Sequence, residues 1–144
     1  MKGRKRHIIV DTLGLVLALA VHPADVQDRD GAALALARLR PLFCWVRTIF
    51  ADAAYDSDRV AVACLALGIT ALVIVRRLAA ALGFQVLPKR WVVERTFGWF
   101  GRWRRLARDY EQLPEVSEAM IRLAMIRLML QRLTRPQRPK LPSR

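Results

Sequence analysis

Acidic residues are scarce in this chain. Its 144 residues hold 12 Asp and Glu against 25 Lys and Arg, a formal net charge of +13. An excess of this size calls for a polyanion, most often nucleic acid. Cysteine is scarce as well. Cys44 and Cys64 stand alone, with no C-x-x-C pair and only His7 and His22 to accompany them. Such spacing offers neither a structural zinc site nor a disulfide framework, and it suits a reducing cytosol. Membrane-length apolar runs are missing. The run from Val60 to Val75 has 16 residues with Gly68 inside it, whereas a spanning helix needs about 20. The start is charged and then reads as a strand, which does not fit a secretory leader. There is no internal repeat and no low-complexity segment.

What is present reads as one mixed α/β domain, long enough to bury a core. Arg6 to Thr12 and Leu15 to Val21 are apolar runs around a turn at Leu13-Gly14, a hairpin pattern that Pro23 ends. Asp28 or Asp30 can cap a helix from Gly31 to about Arg40, stopped by Pro41. Thr48 to Ala51 is a short β-prone run ending at Asp52. Ser57 or Asp58 can cap a helix to about Leu67, closed by Gly68. Ala71 to Val75 is a further strand, followed by Arg76 and Arg77, and Phe84 to Leu87 is extended. A long helix follows Pro88 and runs to about Arg108. A last one spans about Pro114 to Leu133, with Met120, Leu123, Ile126, Leu130 and Leu133 at helical spacing. Strands alternating with helices after an opening hairpin predict a layered sheet packed by helices.

Two carboxylates stand out. On a helix, Arg90, Gly98, Gly101, Arg105 and Arg108 fall within roughly 40° of Glu94, while Val92, Trp99, Trp103 and Leu106 fall on the far side. Glu94 is thus a single acid among guanidinium groups and glycines. It reads either as an ion pair or as a metal-binding acid where a phosphate backbone comes close. Asp52 ends a buried strand, where α/β folds open into the crevice that holds a ligand. It reads either as a catalytic acid or as a turn cap.

The strings GRKRHIIVDTLGL, HPADVQDRDGA, FADAAY, LPKRWVVERTFGWF, RRLARDYE and AMIRLAMIRLML, taken in order, resemble the C-terminal part of DDE transposases of the insertion-sequence-five group. The likeness is collinear and reaches the basic tail. It implies a ribonuclease-H-like mixed sheet with helices on both faces over residues 1–133, and DNA cutting and joining with two Mg²⁺ ions, Mn²⁺ being a substitute. By the resemblance, Asp52 is the second acid of the triad and Glu94 the third. Arg90 is the arginine of an R-x-x-x-E signature, and Arg102 is the basic position after it. The tyrosine that wider relatives place before that arginine is replaced by Leu87, and the usual ADGGY reads ADAAY. The family's first aspartate lies on a central strand upstream of the Lys2–Arg6 segment, so the resemblance implies that this strand and acid are missing here, with the N-terminal DNA-binding region. Asp11 falls at the second strand's turn and reads as a turn carboxylate.

Two-metal hydrolysis needs carboxylates that hold both ions about 3.5–4 Å apart, and Mg²⁺ accepts few protein ligands. With Asp52 and Glu94 alone, the chain is expected to bind metal weakly and to need an upstream segment, in cis or in trans. The missing strand is expected to leave two apolar strand edges unpaired, or to force those strands together. Lys5, Arg6, Arg90, Arg95, Arg102 and Arg105 are expected on DNA phosphates. Trp99 and Trp103 are expected in the core, with base stacking as the alternative, and Trp91 stays open. The Met-rich last helix reads as packing, with a homo-oligomer contact as the alternative. Residues 134–144 read as a disordered, basic, proline-rich tail. The expected setting is a bacterial cytoplasm, associated with the nucleoid. Competing functions are a noncatalytic DNA-binding fragment or regulator, and a basic ribonucleoprotein component.

Overall fold

The computed structural model describes residues 3–76 and 89–134. In chain order these form β1 (Arg4–Val10), β2 (Val16–Pro23), α1 (Asp28–Leu39), β3 (Thr48–Asp52), a 3₁₀ turn (Ala53–Tyr55), α2 (Asp58–Ala66), β4 (Ala71–Val75), α3 (Arg90–Gly101), α4 (Arg104–Ala107) and α5 (Pro114–Thr134). The extended segment expected at Phe84–Leu87, the helix start at Pro88 and the tail after Thr134 lie outside the described residues.

β1 and β2 pair antiparallel, and β3 and β4 pair parallel, with Thr48 opposite Ala71 and Asp52 opposite Val75. The single mixed sheet expected from the sequence is not formed by the described residues. They make two separate two-stranded sheets, and β1 does not hydrogen-bond to β3. No strand among the described residues joins the two pairs.

The hairpin turn forms for local reasons. Gly14 adopts φ +79°, a left-handed conformation that glycine reaches without strain. Asp11 Oδ1 accepts the N–H groups of both Leu13 and Leu15 at 2.8 Å. Asp11 is therefore a turn carboxylate, as its position suggested. Side chains alternate across the hairpin and feed two cores. Ala18 packs with Leu36, Leu39, Val60 and Cys64 from α1 and α2. Leu19 and Val21 pack on the opposite side with Phe100, Leu106, Ile121 and Met125 from α3, α4 and α5. A register shift after Ile9 leaves Leu17 as an extra residue, which is why neighbours Leu17 and Ala18 reach the same core.

The outer edge of β2 is closed by side chains. The Val21 N–H donates to Glu118 Oε1 at 3.1 Å, and Arg38 donates to the Leu19 carbonyl at 2.8 Å while also pairing with Glu118. Glu118 is buried at 4% exposure, so these partners satisfy its charge as well as the strand edge.

Helix ends hold two corrections. α1 starts at Asp28 with Gln27 in the N-cap position and no side-chain cap bond. Asp28 and Asp30 lie inside its first turn, where carboxylates favour the positive end of the helix dipole. The predicted long helix to Arg108 is broken. α3 ends at Gly101, Arg102 caps it, and Trp103 is extended before the short α4. Arg105 and Arg108 therefore do not share a helical face with Glu94. The α2 cap is as read: Ser57 Oγ accepts the Val60 N–H at 3.4 Å, and Gly68 follows the helix at φ +74°.

Candidate active site and basic surface

Asp52 is the last residue of β3 and is half-buried. Its Oδ1 accepts the Ala54 N–H at 3.0 Å and so caps the 3₁₀ turn. The cap and the catalytic reading are compatible, because Oδ2 carries no hydrogen bond among the described residues. Glu94 is exposed on the second turn of α3. α3 lies against β3, so the elements that bear the two acids are neighbours. Carboxylate oxygens at a strand end suit a hard cation such as Mg²⁺. Among the described residues, however, no three His, Cys, Asp or Glu side chains are placed to hold a metal ion.

Thr96, two residues after Glu94, fixes α3 to the hairpin. It is fully buried, and its Oγ1 lies 2.8 Å from the Gly14 carbonyl and 3.1 Å from the Val92 carbonyl. The turn can approach this closely because residue 14 has no side chain; an added Cβ would stand 2.8 Å from Thr96 Oγ1. Thr96→Val keeps the shape and removes the hydroxyl. Urea unfolding is expected to show a loss of about 1–2 kcal/mol, since the Gly14 carbonyl is left without that donor.

A second cluster supports the Asp52 turn. His7 and His22 sit diagonally on one face of the hairpin, stacked with ring centroids 4.7 Å apart. His7 Nδ1 is 2.8 Å from the hydroxyl of Tyr55, the last residue of the 3₁₀ turn. The Nε2 atoms of both imidazoles are buried without a hydrogen-bond partner among the described residues. Burial, with the nearby Asp52 and Asp28 carboxylates, pushes the Tyr55 phenol up to about 12, so it stays neutral. Burial, then His22, lowers the His7 pKa below 6.5; Lys5 adds to this and Asp28 opposes it. The unfolded chain takes up this proton near pH 6.5 while the folded chain resists it, so His7's contribution to stability is complete above that pH and is lost below it. The urea midpoint is expected to be flat above pH 7 and to fall below pH 6.5, by up to about 1.4 kcal/mol per pH unit. A His7→Gln variant should flatten that fall. Sequence reasoning missed this cluster, although the hairpin register alone places the chain's two histidines on one face.

The six basic residues expected on phosphates have different settings. Lys5 Nζ is 3.0 Å from the Val26 carbonyl and 3.0 Å from Asp28. Arg6 donates to the Leu106 carbonyl at 2.8 Å and sits 3.7 Å from Asp109. Arg105 pairs with Glu111 at 2.8 Å. The Arg95 guanidinium lies over Trp91 at 4.3 Å and Trp99 at 4.9 Å. Arg102 is exposed and has no partner among the described residues, and the same holds for Arg104 and Arg108. The Arg90 side chain lies outside the described set. Arg108 lines a cleft of about 760 Å³ together with Arg4, Phe97 and Tyr110.

The tryptophans are neither fully core nor bare. Trp99 and Trp103 are half-buried, and Arg132 and Arg127 lie over their rings at 4.6 Å and 5.0 Å. The buried face of α3 is instead Val92, Thr96 and Phe100. No described helix is long and apolar enough to cross a membrane.

A strand-end aspartate and a glutamate on the adjacent helix, in a strongly basic α/β chain, are the setting in which a likeness to known proteins becomes informative. Residues 1–129 match the transposase DDE domain, and the chain belongs to that family. A Burkholderia cepacia protein named as a transposase for insertion sequence element IS402 is 30% identical over 128 residues, covering 84% of this chain. The chain spans 60% of that relative's length. No solved structure matches it.

Proposed function

We propose that this chain is the C-terminal catalytic part of a DDE transposase of the insertion-sequence-five group, one that cuts and joins DNA. Asp52 and Glu94 are its second and third metal-binding acids in a ribonuclease-H-like sheet. The observation that carries this reading is the meeting of β3 and α3, the elements that end in Asp52 and bear Glu94, in a chain of the transposase DDE family. Both acids would hold Mg²⁺, or Mn²⁺ in its place. When bound, paired ions activate the attacking oxygen and stabilise the leaving one. The cap bond to Ala54 fixes the Asp52 carboxylate before any ligand arrives, and Thr96 fixes the helix of Glu94. The remaining acid, the first of the triad, comes from a segment outside the described residues that ladders along the β1 edge left unpaired among them, the β2 edge being closed by Glu118 and Arg38. Arg102, Arg104 and Arg108 take DNA phosphates.

A second reading is a noncatalytic DNA-binding fragment or regulator derived from a transposase. The absence of a three-donor cluster among the described residues favours it. The test is reconstitution. The chain is assayed for Mg²⁺-dependent strand transfer on transposon-end DNA, alone and together with the segment encoded upstream. Little activity alone and activity with the segment is the expected pattern, and Glu94→Gln should abolish transfer while DNA retention persists. No transfer from any combination, with binding intact, would establish the second reading.

A further inference from the structure

α5 is apolar on two opposite sides. Its inner side buries Ile121, Ala124 and Met125 against the hairpin. Its outer side carries Val116, Ala119, Leu123, Ile126, Leu130 and Leu133, all exposed, the larger side chains from 39% at Val116 to 81% at Leu133. These positions alternate in steps of three and four, the a and d spacing of a coiled-coil seam. The stripe runs about 26 Å along the helix, taking 1.5 Å per residue from Val116 to Leu133. Isolated exposed apolar residues need no explanation, but a contiguous stripe of this length marks a contact surface.

We propose that two copies of this chain pair through this face, with their α5 helices antiparallel about a two-fold axis. The sequence is self-complementary in that direction. Val116 meets Leu133 of the second copy, Ala119 meets Leu130, and Leu123 meets Ile126, so every a position finds a d position and all layers are apolar. The flanking charges select the same direction. In a parallel pair, Arg122 at a g position would face Arg127 of the other copy at an e position, and like charges there oppose association. In the antiparallel pair, Arg122 flanks Met129 and Arg127 flanks Met120, so methylene stems lie on thioethers. The basic residues beside the stripe are already drawn toward their own subunit. Arg122 pairs with Glu118 at 3.4 Å, and Arg127 covers Trp103. The seam is therefore clear of charge. A two-fold contact uses one patch twice, which fits a surface that matches itself.

Charge placement tests both the occupant and the direction. The full chain should sediment as a dimer at micromolar concentration, more firmly at moderate salt, which screens the +13 charge on each copy. Leu123→Glu and Ile126→Lys should each weaken the dimer at least about a hundredfold by burying an unpaired charge. Both positions are exposed, so circular dichroism should be unchanged. The double variant, carrying both changes on one chain, sets the new carboxylate of each copy opposite the new ammonium of the other only in the antiparallel register, and it should dimerise again. In a parallel pair the double variant faces like against like and stays monomeric, which would overturn the proposal. A wild-type monomer would also overturn it. A dimer indifferent to either single change would place the contact elsewhere and overturn it too.

Discussion

Gly31→Ala is expected to destabilise the chain by about 3 kcal/mol, although alanine is the better helix former. Gly31 lies in the first turn of α1 and is buried. A Cβ there would stand 2.2 Å from His22 Nε2 and 2.3 Å from His7 Nε2. Propensity favours alanine by about 1 kcal/mol. Overpacking a filled core typically costs about 1–3 kcal/mol and occasionally more, and non-bonded atoms prefer about 3.5–4.0 Å. The clash wins because neither imidazole can yield. The two rings are stacked on each other, and His7 is held by Tyr55. Against a total stability of about 5–15 kcal/mol the loss is large, and it should reach the proposed site. Gly31 presses on His7, His7 holds Tyr55, and Tyr55 ends the turn that Asp52 caps. Urea titration is the measurement, with a double-mutant cycle as control. In a His7→Ala/His22→Ala background the same change should be neutral or stabilising. A Gly31→Ala midpoint equal to wild type would mean that α1 does not approach the histidines this closely.

This contact also shows where a sequence stops being legible. Element order was readable because apolar periodicity and turn residues agree with the fold at each step. Gly14 and Gly68 are left-handed where the turn and the α2 end require it, and Ser57 caps α2. Gly31 gave no such cue, since it sits inside a helix and its requirement comes from two residues on another element. The α3 reading failed for a related reason. Periodicity centred the apolar face on Val92, Trp99 and Trp103, but the buried face is turned by about 40° toward Thr96 and Phe100. The outer sides of the tryptophans are covered by Arg127 and Arg132 from α5, a cation–π arrangement that hydropathy counts as polar. The helix break at Trp103 was hidden because Leu106 continued the periodicity into α4. Charge counting has the same limit. It found the basic excess, but not that Lys5, Arg6 and Arg105 are tied to carboxylates and carbonyls of their own chain. Asp52 and Glu94 stood out by position, as a strand-end acid and a lone acid among arginines, the resemblance implied their roles, and the fold adds that their elements touch.

Asp52→Asn is expected to reduce strand transfer by the reconstituted protein on the order of 10³-fold or more, with folding and DNA retention intact. The asparagine keeps an oxygen that accepts the Ala54 N–H, so the turn survives, while the negative charge that a divalent cation requires is gone. A spectroscopic readout locates the change. Asp52 is one of the carboxylates that hold Tyr55 at about 12, so removing its charge should lower the pH at which tyrosinate absorbance appears. Asp11→Ala is the matched comparison. It removes the acceptor of two turn N–H groups and should cost about 1–2 kcal/mol of stability, yet leave transfer unchanged once the protein is folded. The two carboxylates lie at the ends of successive strand systems in the same basic chain, so charge and exposure alone do not separate them. Their hydrogen bonds do: Asp11 closes its own hairpin with one oxygen that accepts two N–H groups, whereas Asp52 caps a turn with Oδ1 while its Oδ2 has no hydrogen bond among the described residues. Transfer lost in Asp11→Ala and kept in Asp52→Asn would reverse the assignment and move the metal-binding acid to the hairpin.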